Sequence, residues 1–227
     1  MESRTSPRGD QRQVKRVVRH YSRLAPEYDK RWDRYSRGSL GKLVELLPLT
    51  GNEHILDIAC GTGRLESLLR QSHSGLDVTG VDLSPHMIEI ARGRLPDDAH
   101  TRWHHGTLET LQLPEASFDV VTCNNAFHLF PEQQASLVMM ARLTRPGGVV
   151  AIVDWCREYP QIGALQLVVR LGAGQRRRIL TRAELSAMLG EAGLEVEMVE
   201  RFSATPFWGM MCVIARRPGA TAMIRHD

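Results

Sequence analysis

Short apolar runs alternate with helix-period segments along the chain from residue 54 onward. Runs such as 54–58 and 118–123 are rich in apolar residues, and the segments between them repeat apolar positions at helical spacing. Strands that alternate with helices in this way are typical of βαβ units around a parallel sheet. The pattern therefore predicts an α/β fold. Its strands are predicted near residues 54–58, 76–81, 103, 118–123 and 149–153, with closing strands near 194–201 and 208–215.

Two helical patterns precede the first predicted strand. Apolar residues from Val14 to Tyr21 recur at helical spacing with basic residues on the other faces, which predicts a basic amphipathic helix. A second pattern, from Leu40 to Leu47, ends before Pro48, whose ring disfavours helical geometry in the preceding residue. We expect residues 13–49 to form a helical cap, and the polar residues 1–12 to be a disordered N-terminus.

The alternation changes at about residue 155. A helical pattern over 162–169 precedes a basic run that ends at Arg178, and we expect residues 155–180 to be an insertion that helps to form a substrate pocket. Such a basic run is typical of a solvated face, and attraction of an anionic substrate or a lipid surface is the alternative. We expect residues 50–217 to form one domain that includes this insertion, and residues 218–227 to be a C-terminal tail.

Composition narrows the classes of function. The 227 residues carry a net charge of +3, from 29 basic and 26 acidic side chains, which argues against nucleic acid as a partner. Four cysteines lie far apart without metal-ligand spacing, which predicts reduced thiols in a cytoplasmic protein and no metal site. No run of about 18 apolar residues is long enough to cross a membrane. The basic helix leaves peripheral membrane contact open, and nothing indicates the oligomeric state.

A glycine loop follows the first strand, in the order Asp57, Ala59, Gly61 and Gly63. The third glycine of a dinucleotide-binding loop is replaced by Glu66, and no phosphate-binding GxxxxGK[ST] loop is present. An acid ahead of the glycines would repel a pyrophosphate but suits an ammonium group. Asp82, at the end of the second strand, can accept hydrogen bonds from two ribose hydroxyls. An amine and a ribose without a phosphate describe S-adenosylmethionine (SAM).

Four motifs in order carry a family resemblance: ILDIACGTG, VTGVDLS, FDVVTCNNAFHLF and ARLTRPGG. They resemble the motifs of class I SAM-dependent methyltransferases of the small-molecule type, including those of quinone and phospholipid biosynthesis. The resemblance implies a Rossmann-like seven-stranded sheet with order 3-2-1-4-5-7-6, an antiparallel strand seven and an N-terminal helical cap. It also implies SAM as the cofactor and a small-molecule methyl acceptor as the partner.

The resemblance assigns cofactor-binding roles to particular residues. Asp57 would orient the methionine amine, Asp82 would hold the ribose hydroxyls, and Tyr21 would belong to the lid over the cofactor. Thr107 stands where the family usually has an acid, and Ala59 replaces the first family glycine. The full set of expected cofactor-binding residues is Tyr21, Asp57, Ala59, Gly61, Gly63, Asp82, Leu83, Met87, Thr107, Leu108 and Asn124.

A substrate pocket is expected where the strands end. His128, just past the fourth strand, is the candidate general base, and a histidine that packs without chemistry is the alternative. The expected pocket residues are Tyr28, Trp32, His128, Asp154 and Trp155. We therefore expect SAM-dependent transfer of a methyl group to a small-molecule nucleophile in a closed pocket. A peripheral phospholipid or quinone methyltransferase and a SAM-binding regulatory module without turnover are the alternatives.

Overall fold

The computed structural model describes residues 7–108, 110–171 and 178–219, and these residues form a seven-stranded sheet. The order is β3-β2-β1-β4-β5-β7-β6, with β7 antiparallel to both β5 and β6. This order and the antiparallel strand confirm the predicted fold. The strands are β1 His54–Ile58, β2 Asp77–Asp82, β3 Thr101–His105, β4 Phe118–Asn124, β5 Thr144–Trp155, β6 Glu195–Ser203 and β7 Gly209–Arg216.

Helices cover both faces of the sheet. Ser84 caps α3, because its side chain accepts a hydrogen bond from the Met87 amide at 3.3 Å. Among the described residues, no helix is long and apolar enough to cross a membrane. The helices are α1 Pro7–Leu46, α2 Arg64–Ser72, α3 Pro85–Arg94, α4 Gln133–Leu143, α5 Pro160–Leu171 and α6 Arg182–Glu191, with a short 3-10 turn at Phe127–Leu129.

The N-terminal segment is one helix where the sequence predicted two. Helix α1 runs from Pro7 to Leu46 and passes through Pro26, so its first residues lie inside the segment that we expected to be disordered. Residues 1–6 lie outside the described residues. Proline removes one helical hydrogen bond, but contacts with the rest of the protein hold both halves of the helix in place. One of them joins the hydroxyls of Ser22 and Ser84 at 2.8 Å.

Other boundaries differ in detail. Helix α4 begins at Gln133, although Pro131 was the predicted start, and β5 begins at Thr144, before the predicted Pro-Gly-Gly turn. The Pro-Gly-Gly segment lies inside β5 and interrupts its regular pairing with β4, where the register shifts between Phe118 and Val120. The predicted insertion contains α5, and residues 172–177, which hold most of the basic run, lie outside the described residues.

Two apolar layers fill the two sides of the sheet. One contains Leu56 and Val121 with residues of α4 and α6, and the other contains Ile55 and Val120 with residues of α1, α2 and α5. Neighbouring residues of a strand point to opposite faces, so the two layers alternate along β1 and β4. The parallel strands of such a sheet bind ligands at their carboxyl ends, where the strand order reverses. Here that point lies between β1 and β4.

Candidate functional site

The loop between β1 and α2 has an unusual backbone conformation. Ala59, Gly61 and Gly63 have φ angles of 61°, 57° and 72°, which lie in the left-handed region. The Gly61 amide donates to the Asp82 carboxylate at 3.0 Å, and the Ser84 amide donates to its other oxygen at 2.7 Å. A Cβ atom on Gly61 would meet no atom within 4 Å. The loop therefore exposes its backbone at Gly61 and holds Asp82 beside it.

A cavity of about 440 Å³ lies at the carboxyl ends of β1, β2 and β4. This volume falls within the usual range for small-molecule sites, which is about 300–1,000 Å³. Ten of the predicted site residues line it, and they lie on α1, the glycine loop, the ends of β2 and β4, the start of α3 and the loop after β3. They are Tyr21, Tyr28, Ala59, Gly61, Asp82, Leu83, Met87, Thr107, Leu108 and Asn124.

Two predicted cofactor residues, Asp57 at the end of β1 and Gly63 at the end of the glycine loop, do not line this cavity. Asp57 is 3% exposed, and its carboxylate accepts a hydrogen bond from the Thr122 hydroxyl at 2.6 Å. Burial raises the pKa of Asp57 to about 7, and that hydrogen bond opposes the shift. Gly63 is also buried and precedes the first turn of α2. A Cβ atom on Gly63 would lie 2.7 Å from the Trp103 indole and 3.0 Å from Ala91, so this glycine packs against β3 and α3.

Helix α1 closes over the glycine loop through polar contacts. The Thr62 hydroxyl donates to Asp29 at 2.7 Å, Arg94 forms an ion pair with the same carboxylate, and Arg64 donates to Asp33 at 3.0 Å. Tyr28 lies next to these contacts, and burial raises the pKa of its hydroxyl, so it stays neutral. The helix is thus fixed to the loop by side chains on both partners.

Four predicted pocket residues lie outside the set that lines the cavity. His128 and Asp154 are each 2% exposed, and the imidazole Nδ1 lies 2.7 Å from the Asp154 carboxylate. The His128 ring stacks on Trp155 at 4.1 Å, and Trp155 stacks on Trp208 at 4.8 Å. Trp32 packs edge-on against Trp208 at 6.1 Å. We expected these side chains in the pocket, and the structure places them in a closed aromatic cluster beside it.

A chain of hydrogen bonds links this cluster to the cavity. The Trp155 indole donates to the Tyr35 hydroxyl at 2.8 Å, and that hydroxyl donates to Asn125 Oδ1 at 2.7 Å. The Asn125 amide donates in turn to the Ser39 hydroxyl at 2.7 Å. Asn125 lines the cavity, so the cluster holds one of its walls in place.

Sequence reasoning missed a group of apolar lining residues. Val14, Val17 and Val18 of α1 line the cavity, and so do Leu129 and neighbouring residues after β4. These valines belong to the apolar stripe of the predicted amphipathic helix, and such a stripe does not by itself show whether it faces the protein core or a ligand. No motif marks the segment after β4. The missed lining residues are Val14, Lys15, Val17, Val18, Ile58, Val81, Ser84, Gly106, Asn125, Ala126, Leu129, Phe130, Pro131, Glu132 and Ser136.

Several known proteins are similar to this chain in sequence and in fold. The family described as "Methyltransferase domain" matches residues 56–152. An uncharacterized methyltransferase of Mycobacterium tuberculosis is 31% identical over 145 residues, which make up 64% of this chain and 72% of the relative. The chain therefore belongs to the methyltransferase family. A ubiquinone biosynthesis O-methyltransferase of Xylella fastidiosa is 33% identical over 179 residues, which make up 74% of this chain and 71% of the relative.

The fold is also that of solved methyltransferases. A SAM-dependent methyltransferase from Mesorhizobium loti superimposes with a TM-score of 0.67 at 22% sequence identity, covering 79% of this chain and 98% of the other. The protein is a SAM-dependent methyltransferase with a Rossmann-like fold. These findings support the enzyme that the motifs predicted, and they do not support the alternative of a module without turnover.

SAM is the cofactor of this methyltransferase, and the polar groups of the cavity suit it. Asp82 retains lone pairs for two hydroxyl donors, because each carboxylate oxygen takes only one backbone hydrogen bond. Asn124 Oδ1 is buried and has no hydrogen-bond partner among the described residues, which leaves an acceptor for a ligand. Leu83, Met87 and Leu108 add an apolar wall of the kind that a purine ring needs.

Proposed function

We propose that this methyltransferase acts on an apolar small molecule that binds between α1 and the segment after β4. The observation that carries this proposal is the composition of the cavity wall away from the glycine loop. Val14, Val17 and Val18 of α1 and Leu129 and Phe130 after β4 line this part, with Lys15 and Glu132 as its charged members. A wall of this kind favours apolar surface in the ligand at about 25 cal/mol per Å² buried.

The cofactor side of the cavity has its own set of residues. We propose that Asp82 accepts hydrogen bonds from the ribose hydroxyls, that Asn124 meets the methionine portion, and that Leu83 and Met87 flank the adenine. Asp57 receives the ammonium group beneath the glycine loop, since it is the buried acid nearest the start of that loop. When it is bound, SAM supplies an electrophilic methyl group on a positively charged sulfur.

Closure by α1 provides the second requirement of methyl transfer, which is an aligned and dry site. The reaction is an in-line displacement, so rate depends strongly on how the acceptor atom is held relative to the methyl group. Positive charge disperses as the methyl group moves, and a site that excludes water favours this change. Tyr28 and the Asp29 contacts to the glycine loop keep this end of the site covered.

A base is needed only when the acceptor must lose a proton. His128 is our candidate, because Asp154 holds its Nδ1 and its Nε2 has no hydrogen-bond partner among the described residues. The ring is 2% exposed and does not line the cavity, so this role requires a rearrangement that brings Nε2 to the acceptor. Thiolate, phenolate and activated carbon acceptors do not require it.

We also propose that the enzyme acts in the cytoplasm. All four cysteines are unpaired and buried, which suits a reducing compartment. They are Cys60, Cys123, Cys156 and Cys212.

The test is a turnover screen that pairs each apolar acceptor with a charged analogue of the same size. Phenols, quinols, amines and thiols are incubated with SAM, and S-adenosylhomocysteine release and the methylated product are measured. We expect turnover with apolar members of the pairs and little with their charged analogues. Turnover confined to charged acceptors would contradict the proposed acceptor class, and no turnover or SAM binding at all would contradict the proposed reaction.

A variant pair locates the acceptor. Val17→Gln places an amide in the apolar wall, so the KM for the acceptor should rise about tenfold while the KM for SAM changes by less than about threefold. Val138→Gln is the matched control, because Val138 lies on α4 with 40% of its surface exposed and does not line the cavity. An unchanged acceptor KM in Val17→Gln would show that the acceptor binds elsewhere.

A further inference from the structure

Glu66 is a buried acid that has no role in the proposed function. It occupies the first turn of α2, at the position where a dinucleotide-binding loop has its third glycine. Its side chain is 1% exposed, and neither carboxyl oxygen receives a hydrogen bond from an N–H or O–H group in the described part of the chain. A buried carboxylate without donors is costly, so such a group keeps its proton or meets a charged ligand.

A missing side chain in β2 makes room for Glu66. Gly80 pairs with Asp57 of β1 on one side and with Trp103 of β3 on the other, so these three residues form one row across the sheet. A Cβ atom on Gly80 would lie 2.8 Å from Glu66 Oε1 and would overlap the Trp103 indole. The Glu66 carboxyl group therefore sits over Gly80, on the face of the sheet that carries the side chain of Asp57.

Asp57 and Glu66 are thus two buried carboxyl groups on the same face of the sheet, one on the row of Gly80 and one over it. Two carboxylates offer only acceptors, so a hydrogen bond between them requires a proton on one of them. Burial and the charge of Asp57 raise the pKa of Glu66 well above its usual value, so Glu66 holds the proton. The other groups that face the pair are Asp82, whose charge raises both pKa values, Arg94, whose charge lowers that of Glu66, and the buried Cys60 thiol.

We propose that Glu66 is a positioning residue, which as a neutral carboxylic acid donates a hydrogen bond to Asp57 and aims that carboxylate at the ammonium group of the methyl donor. This inference rests on the role proposed for Asp57 above. The ammonium group favours the charged form of Asp57, whose pKa is about 7 before the ligand binds. Binding below that pH therefore releases a proton, so affinity rises with pH and levels off above the pKa.

The test measures binding of S-adenosylhomocysteine, which carries the same ammonium group, by calorimetry at pH 6 and pH 8. The wild-type protein should bind about tenfold more tightly at pH 8, with proton release shown by buffers of different ionisation enthalpy. Glu66→Gln keeps an N–H donor for Asp57 and has no proton of its own to lose. It should keep both the affinity at pH 8 and the pH dependence, because Asp57 is the group that titrates.

Three comparisons separate positioning from a general structural role. Glu66→Leu lacks the donor and should bind S-adenosylhomocysteine about tenfold more weakly at pH 8, and Glu66→Gln should restore that affinity. Glu89→Gln changes an exposed acid on α3 and should behave as wild type. 5′-Methylthioadenosine lacks the amine, so its affinity reports folding and the ribose contact, and it should be the same in all variants.

The outcomes distinguish this inference from the function on which it rests. A Glu66→Leu variant that binds S-adenosylhomocysteine at pH 8 as tightly as the wild type, or a Glu66→Gln variant that binds it as weakly as Glu66→Leu, would overturn the role of Glu66. So would a wild-type protein that binds S-adenosylhomocysteine equally well at both pH values. Failure to bind it at either pH would instead refute the proposed cofactor site, and the role of Glu66 would fall with it.

Discussion

Asp154 holds together the turn that follows β4, and removing its carboxylate should destabilise the whole protein. The side chain is 2% exposed and accepts three hydrogen bonds. They come from the His128 amide at 2.6 Å, the His128 imidazole at 2.7 Å and the Trp155 amide at 2.7 Å. Asp154→Ala would leave three donors in a buried site with no acceptor in their place.

The expected loss follows from those three donors. An unsatisfied buried donor costs about 1–3 kcal/mol, and partial relaxation around a small residue reduces the sum, so we expect a loss of about 3–5 kcal/mol. Asp154→Asn keeps one accepting oxygen and replaces the other with an NH2 group, which would face an N–H donor. Its loss of unfolding free energy should therefore be smaller, about 1–2 kcal/mol.

Urea unfolding followed by circular dichroism measures these differences. Asp97→Ala serves as the control, because its carboxylate is 46% exposed and should contribute less than about 1 kcal/mol. A loss below about 1 kcal/mol in Asp154→Ala would refute the reasoning. If the same variant also raised the KM for the acceptor, Asp154 would belong to the acceptor pocket, as its position at the end of a strand suggested.

Three further predictions concern the cofactor side. Asp29→Ala should change the unfolding free energy by less than about 1 kcal/mol, since its ion pair with Arg94 is partly exposed, but should speed S-adenosylhomocysteine release in stopped-flow measurements. Asp57→Asn should raise the melting temperature at pH 8 and not at pH 4. The pKa of Asp57 is raised in the folded state, so its ionisation costs stability as the pH rises toward 7, and asparagine does not ionise. Calorimetry should also show weaker cofactor binding. Gly61→Ala should cost only about 1–2 kcal/mol of strain but block the cofactor, whereas Gly63→Ala should unfold more easily because its Cβ would lie 2.7 Å from an indole carbon.

The α/β fold could be predicted from the sequence pattern, and the strand order was implied by the resemblance of the four motifs to class I SAM-dependent methyltransferases. The alternation of strand and helix patterns indicates a parallel sheet, and the motifs place Asp57 and Asp82 at the ends of neighbouring strands. Helix α1 could not be predicted as one element, since Pro26 lies between its two apolar stretches and local propensity favours a break there. Contacts with residues distant in sequence, such as Ser84, decide the outcome.

The two sides of the site differ in how far the sequence predicts them. The cofactor side follows from short-range geometry, because a glycine loop and the acid after the next strand must meet at one sheet edge. The acceptor side depends on which face a side chain takes at the end of β5 and on where α1 crosses the sheet. Nothing local to Trp155 or His128 indicates that they stack on each other and on Trp208 outside the cavity.

Helix α1 contacts the two ends of the site in different ways. Around Asp29 and Asp33 it makes partly exposed ion pairs and hydrogen bonds, which fix its position but each contribute little to stability. At Val14, Val17 and Val18 it presents half-buried side chains to a cavity. Those side chains gain their full burial only when a ligand fills the space, so an apolar acceptor would itself stabilise the closed position of the helix.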